Sequence, residues 1–256
     1  MSRAYRAGVL TDWLPPDLDF WLALTLVGLS FVTSLITATF SLGGGTLMIA
    51  ALALVFPPAI VVPVHGLVQL GSNGGRALVQ RAHIQWRLIA WIAAGALLGA
   101  ILGGQVANLL PERLFTLAIA AFVLVTTWLP QPRIVGESRL VQFIGGAVIS
   151  ALSMVVGATG PLVATFIKGL ADRRQLVATH AMLMTLQNGF KAAIFMALGF
   201  AFGAYLPLIA MMVAAGFAGT AVGSRLLLRV PERLFRLGFK IVLSVVALDL
   251  IRGAVF

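Results

Sequence analysis

VHGLVQLGSNGGRA, residues 64–77, aligns without a gap on THAMLMTLQNGFKA, residues 179–192, superposing His65 on His180, Asn73 on Asn188, Gly74 on Gly189 and Arg76 on Lys191. Such polar residues are rare in this oily chain, so their return at one spacing marks a core written twice. A second pair agrees: PERLF stands at 111–115 and again at 231–235, and Gly99 and Gly103 match Gly219 and Gly223. Duplicated halves in a membrane protein point to transport through a site between them.

The 256 residues are 60% hydrophobic and only 10% charged, and the mean hydropathy of +1.03 lies far outside the balance of soluble domains. A spanning helix takes about 20 apolar residues. The chain therefore crosses a membrane several times and leaves almost nothing for an aqueous domain, so any site lies within the bilayer. It has no cysteine, which excludes disulfides, thiol catalysis and thiolate metal sites. The opening residues, with Asp12, Pro15, Pro16, Asp17 and Asp19, do not read as a cleavable signal peptide. The net charge of +10 is carried by arginines in short connections. That distribution fits membrane topology better than a nucleic-acid partner.

Two apolar runs, 46–56 and 161–170, are too short to span, since about 1.5 Å per residue takes them only about half-way through the hydrocarbon. Each follows a glycine-containing break, Gly43-Gly44-Gly45 or Gly157-Ala158-Thr159-Gly160-Pro161, and reads as a re-entrant half-helix paired with the longer helix before it. Positive charge changes sides between matching connections. Pro57-Pro58-Ala59 is neutral where its counterpart carries Asp172, Arg173 and Arg174. Arg81, His83 and Arg87 correspond to the uncharged stretch 198–205, and Arg113, offset by Glu112, corresponds to Arg225, Arg229, Arg233 and Arg236. Under the positive-inside rule the copies are then inverted, with connections near 80–87, 130–139, 171–174 and 225–236 cytoplasmic and both termini external. Parallel repeats with four crossings each leave the charge swap unexplained. The expected architecture is an all-α polytopic membrane protein of two inverted repeats, each a re-entrant broken pair plus three further transmembrane helices. It divides into an N-terminal segment (1–19), repeat 1 (20–130), a cytoplasmic linker (131–139) and repeat 2 (140–256).

Broken helices at membrane depth are tolerated only against protein or a watery cavity, so the breaks mark a cavity. A half-helix N-terminus presents N–H groups without intrahelical partners and roughly half a positive charge. Two such ends facing one cavity make an anion site, formed by Gly43, Gly44, Gly45 and Thr46 and by Ala158, Thr159 and Gly160, with Ser41 just before the first break. A leucine at Gly44 or a valine at Thr159 is expected to abolish anion flux with folding intact. Gly99, Gly103, Gly219 and Gly223 read as close helix packing. His65, Gln69, Ser72 and Arg76 fall on one helical face, with Asn73 beside them, and His180, Gln187, Asn188 and Lys191 repeat the stripe more thinly. These are either walls of the site or interhelical hydrogen bonds. Arg76 and Lys191, each near a helix end, either snorkel to the interface or gather anions at opposite mouths, and Lys168 allows the same two readings. Asp249 and Arg252 read as a local ion pair. Paired membrane carboxylates and the zinc, phosphate-loop and nucleophile-elbow motifs are missing, which argues against an enzyme.

The triple-glycine break, the half-helix after it, the HGxxQxxxN stripe and a second copy with GATGP and HxxxxxxxN resemble the TauE/SafE sulfite exporter family, also called the toluene sulfonate uptake permease superfamily. The resemblance runs from about residue 20 to residue 253. It implies secondary transport, mostly export, of small sulfur-containing anions such as sulfite, sulfoacetate and other organosulfonates across the bacterial cytoplasmic (inner) membrane, with no cofactor or metal. A passive anion channel, or a carrier of another small organic anion such as a carboxylate, stays open as an alternative. So do proton or sodium coupling and assembly as a homodimer. The second copy lacks the triple glycine and has Met184 where Gln69 stands, so the site is expected to be asymmetric.

Overall fold

The computed structural model describes residues 14–15, 18–40, 43–130, 138–167, 169–170, 172–226 and 232–255. Ser41, Lys168, Arg229, Pro231, most of residues 1–19 and residues 131–137 of the linker lie outside them. The described residues form ten α-helices and two short 3-10 turns, with no strand among them. The helices are α1 (Phe20–Phe40), α2 (Gly44–Leu52), α3 (Pro58–Val79), α4 (Trp86–Leu109) and α5 (Glu112–Trp128), then α6 (Arg139–Val156), α7 (Gly160–Ile167), α8 (Arg173–Ala197), α9 (Leu206–Leu226) and α10 (Glu232–Val255). Helices α2 and α7 are the half-length segments. They have nine and eight residues and begin one or two residues earlier than the apolar runs suggest, because glycine backbone enters the first turn.

Glycine is required at both breaks. Gly43 has φ +104°, immediately before α2, and Gly157 has φ +78°, at the end of α6. L-residues with a Cβ rarely adopt such angles, so the chain turns sharply there and a new helix starts. Proline sets the next boundary: Pro57 precedes α3 and Pro58 occupies its first turn, where the missing N–H is not needed.

The same packing occurs twice. Helix α4 lies along α6, and α9 lies along α1. A Cβ at Gly99 would meet the Ala147 carbonyl and one at Gly219 the Phe31 carbonyl, while Gly103 faces Ala151 and Gly223 faces Leu35. Small residues here let backbones touch, as the sequence suggests. One step along, Gly146 abuts the Ile92 carbonyl, and in the matching position Ser30 Oγ donates to the Met212 carbonyl at 2.6 Å. Each copy thus lays its first helix on the fourth helix of the other. Helices α3 and α8, which carry the polar stripes, pack on each other between these pairs, and α5 packs on α10.

This arrangement explains where hydropathy is concentrated. The helices long and apolar enough to cross a membrane by length and composition are α1, α4, α6 and α9 with its preceding turn, the members of the two close pairs. Leu97, Leu98, Ile101 and Leu102 of α4 are exposed, forming an outward apolar surface. Helices α3 and α8 are shielded by their neighbours and can hold polar side chains. Two apolar clusters each enclose one half-helix. Leu47, Met48, Ile49 and Leu52 of α2 belong to the larger, and Val163 and Ile167 of α7 to the smaller.

Phe56, before α3, packs edge-on against Tyr205, before α9, whereas the Gln85 N–H, before α4, donates to Thr179 Oγ1 near the start of α8. Arg252 and Asp249 form the expected ion pair at 2.7 Å, largely exposed at the end of α10.

Candidate functional site

Each half-helix is held by the histidine of its own copy. His65 Nε2 on α3 donates to the Gly45 carbonyl at 3.0 Å, and His180 Nε2 on α8 donates to the Gly160 carbonyl at 3.0 Å. The two histidines are buried, and because a carbonyl only accepts, Nε2 carries the proton in both. The imidazoles therefore fix the half-helix N-termini in place. His65 Nδ1 is left buried with no partner among the described residues.

The breaks line one cavity. A pocket of ≈ 40 Å³ is bounded by Gly43, Gly45 and Thr46 from the first break and by Ala158, Gly160 and Pro161 from the second. Thr37, His65, Gln69, Asn73, His180 and Met184 complete its wall. At α2 the first helical bond runs from the Leu47 N–H to the Gly43 carbonyl, so the N–H groups of Gly44, Gly45 and Thr46 precede the ladder and find no acceptor among the described residues. At α7 the Leu162 and Val163 N–H groups both reach the Thr159 carbonyl. The Thr159 and Gly160 N–H groups find no acceptor there among the described residues, and Pro161 has none to offer. Each end adds about half a positive charge.

Around Gln69 the hydrogen bonds leave one donor over. Asn73 Nδ2 donates to the Gln69 carbonyl at 2.9 Å and to its Oε1 at 3.1 Å. The Gln69 Nε2 lies 3.3 Å from His65 Nε2, whose proton goes to Gly45. The Gln69 amide hydrogens are accordingly available to the cavity. In the second copy Asn188 Nδ2 repeats the bond, to the Met184 carbonyl at 2.8 Å, but Met184 offers no donor.

Several expected site residues lie elsewhere. Gly44 packs into α1, where a Cβ would come within 2.0 Å of the Thr33 carbonyl. A leucine there would disrupt packing, so the expectation of an inactive but intact Gly44→Leu protein does not hold. Thr159 is fully buried, and its hydroxyl donates to Gln187 Oε1 at 3.2 Å and does not line the cavity. Gln187 and Asn188 are also outside the wall. Lys191 does not snorkel: it is completely buried, and its Nζ donates to the Gly157 carbonyl at 2.6 Å. Arg76 is only partly exposed, and its Nε is buried without a partner among the described residues. Thr37 was not singled out by sequence. Its signal was faint, because Thr37 is one of six Ser and Thr residues in α1, and Thr37 Oγ1 donates to the Thr33 carbonyl at 2.8 Å.

A larger recess of ≈ 700 Å³ opens between residues 53–58, the start of α5 and the end of α10. Glu112 and Asp249 face it together with Arg113, so its charge is mixed. Among the described residues no group of three or more His, Cys, Asp or Glu side chains is placed to hold a metal.

A family model described as Sulfite exporter TauE/SafE matches residues 26–250, nearly the whole chain, including both breaks and both polar stripes. No curated protein and no solved structure matches the chain.

Proposed function

The chain belongs to the Sulfite exporter TauE/SafE family, a family of membrane transporters of sulfur-containing anions, and from that premise we propose that it carries sulfite or a similarly compact sulfur oxyanion by alternating access. The observation that supports this is the cavity shared by the two half-helix N-termini. The backbone N–H groups of Gly45, Thr46 and Gly160, the Thr46 hydroxyl and the Gln69 amide belong to residues of its wall, and donors of this kind replace an oxyanion's lost hydration.

Size favours the small end of the substrate range. At ≈ 40 Å³ the cavity is narrow, which suits a compact oxyanion such as sulfite. Sulfoacetate needs a more open cavity. In this reading the two copies are inverted about an axis in the membrane plane, the cytoplasmic membrane of a bacterium. The exchange of partners among α1, α4, α6 and α9 is what a two-fold axis relating the copies produces, and the swap of positive charge between matching connections supports placing that axis in the membrane plane. Rocking one copy against the other exposes the cavity first to one side and then to the other.

Proteoliposomes test it. Saturable sulfite flux with trans-stimulation is expected, together with at least a tenfold loss in Gly45→Ala, whose Cβ would lie 2.8 Å from Gln69 Nε2. Ohmic current without trans-stimulation would point to a channel, and absence of flux with wild-type protein would reject transport of this anion.

A further inference from the structure

Lys191 is a completely buried amine whose one acceptor among the described residues is the Gly157 carbonyl. No acid accompanies it. The eight Asp and Glu residues are Asp12, Asp17, Asp19, Glu112, Glu137, Asp172, Glu232 and Asp249, and none lies within α1 to α4 or α6 to α9. Helix dipoles do not make up the difference. Gly157 ends α6, where the dipole is negative, but α7 begins three residues later with its positive end, and the two contributions oppose each other.

The surroundings nonetheless hold unused acceptors. Asn188 Oδ1, three residues earlier on α8, and His65 Nδ1 are both buried without partners. The Lys191 stem lies over Gly66 of α3, where a Cβ would be 2.9 Å from its Cδ. His65 and Ala158, the chain neighbours of Gly66 and Gly157, are in the cavity wall. Lys191 is thus directly behind that wall, at the junction of the two copies. An anion in the cavity supplies the countercharge that the protein lacks.

Other charged groups on the packed elements do not supply it. Arg76 on α3 is permanently cationic. His65 and His180 each hold a backbone carbonyl. Arg81, Arg87, Arg139 and Arg174 are exposed toward the ends of their segments, His83 is in the turn Arg81–His83, and the described part of α7 has no titratable side chain.

We propose that Lys191 takes up a proton when the anion binds and gives it up when the anion leaves, so that transport couples one proton to one anion through an amine. The proton moves from water on the loading side to the Nζ lone pair and returns to water on the unloading side, and no covalent bond to the anion forms. Lys191 acts here as a positioning residue, through charge across the wall. The inference rests on the anion site proposed above.

The test is sulfite affinity of the purified full chain, measured from neutral to basic pH in the wild type and in Lys191→Arg and Lys191→Met. The titration of sulfite itself is common to all three. Wild-type affinity is expected to weaken toward basic pH by up to tenfold per pH unit relative to Lys191→Arg, whose charge is fixed. Lys191→Met is expected to bind at least tenfold more weakly than wild type at neutral pH and to show no such relative slope. A wild-type profile parallel to that of Lys191→Arg overturns the coupling and leaves the anion site standing. Should neither variant fold, a wild-type affinity that stays flat toward basic pH, where the anion holds no proton, overturns it equally. No sulfite binding by wild type at any pH overturns the underlying anion site.

Discussion

At the first break three consecutive N–H groups, those of Gly44, Gly45 and Thr46, come free at the start of α2, and Gln69 adds an amide. At the second break Pro161 removes one donor, Met184 stands where Gln69 does, and a buried lysine lies behind the wall. The shared part is the scaffold: a histidine on each long helix holds the second or first residue of its half-helix at the same distance, 3.0 Å. The duplicated frame therefore positions two positive helix ends, while divergence of the side chains gives more hydrogen-bond donors to the cavity wall of one copy and a fully buried amine to the other. The comparison teaches that the copies are equivalent in fold and unequal in chemistry.

The largest expected effect breaks the frame itself. Gly157→Ala places a Cβ 1.7 Å from Ile49 Cδ1 on a backbone at φ +78°, combining strain of about 1–3 kcal/mol with overpacking of about 1–3 kcal/mol. Gly43→Ala has equally unusual φ, but its Cβ meets the tip of the Phe239 ring at 2.8 Å, which has more freedom to yield. Thermal unfolding in detergent should rank Gly157→Ala well below Gly43→Ala. The reverse order would mean that the second break is the more adaptable one.

Next come the two histidines, where the copies should behave alike. Replacing His65 or His180 with Phe leaves a buried carbonyl without its imidazole donor, at a cost of about 1–3 kcal/mol. Equal losses of unfolding free energy in the two variants are expected. A difference beyond about 0.5 kcal/mol would show that one half-helix is anchored by something else.

These features differ in how far the sequence discloses them. The histidines, the breaks and the packing glycines were legible because each is a departure from apolar monotony, repeated at one spacing. Burial of Lys191 was not. It stands six residues from the end of α8, a position that reads as near an interface. Only the fold shows that the end of α6 turns back there and offers the Gly157 carbonyl. Gly44 and Thr159 were misjudged for a related reason. Sequence placed them in the breaks, but which atoms of a break face the cavity depends on neighbours distant in sequence, Thr33 in one case and Gln187 in the other.

That distinction gives a third comparison. Thr46 lines the cavity, whereas the Thr159 hydroxyl bonds to Gln187. Thr46→Val is expected to lower sulfite flux about tenfold, the loss of one charge-assisted hydrogen bond of about 1.5 kcal/mol, with little change in stability. Thr159→Val is expected to lower stability by about 1 kcal/mol and flux less than threefold. Flux assays paired with unfolding curves separate the two, and equal flux losses would mean that the second break contributes its side chain after all.

The smallest effect is the most informative about asymmetry. Met184 is buried and in the cavity wall, with its Cε 4.0 Å from where a Cβ on Gly160 would stand, and it occupies the position that Gln69 holds in the first copy. Met184→Gln restores the duplicated pattern with nearly unchanged volume, so the packing cost should stay below about 1.5 kcal/mol. The new amide adds donors on the side of the cavity that has fewest. If the anion's oxygens face the first copy alone, sulfite affinity should change less than threefold, because the new donor lies beyond their reach. A gain of tenfold, about 1.4 kcal/mol, would mean that oxygens face both breaks and that methionine at this position weakens binding. Release then becomes the step it serves, since an anion held too tightly at mid-membrane leaves slowly, and turnover in Met184→Gln should fall as affinity rises.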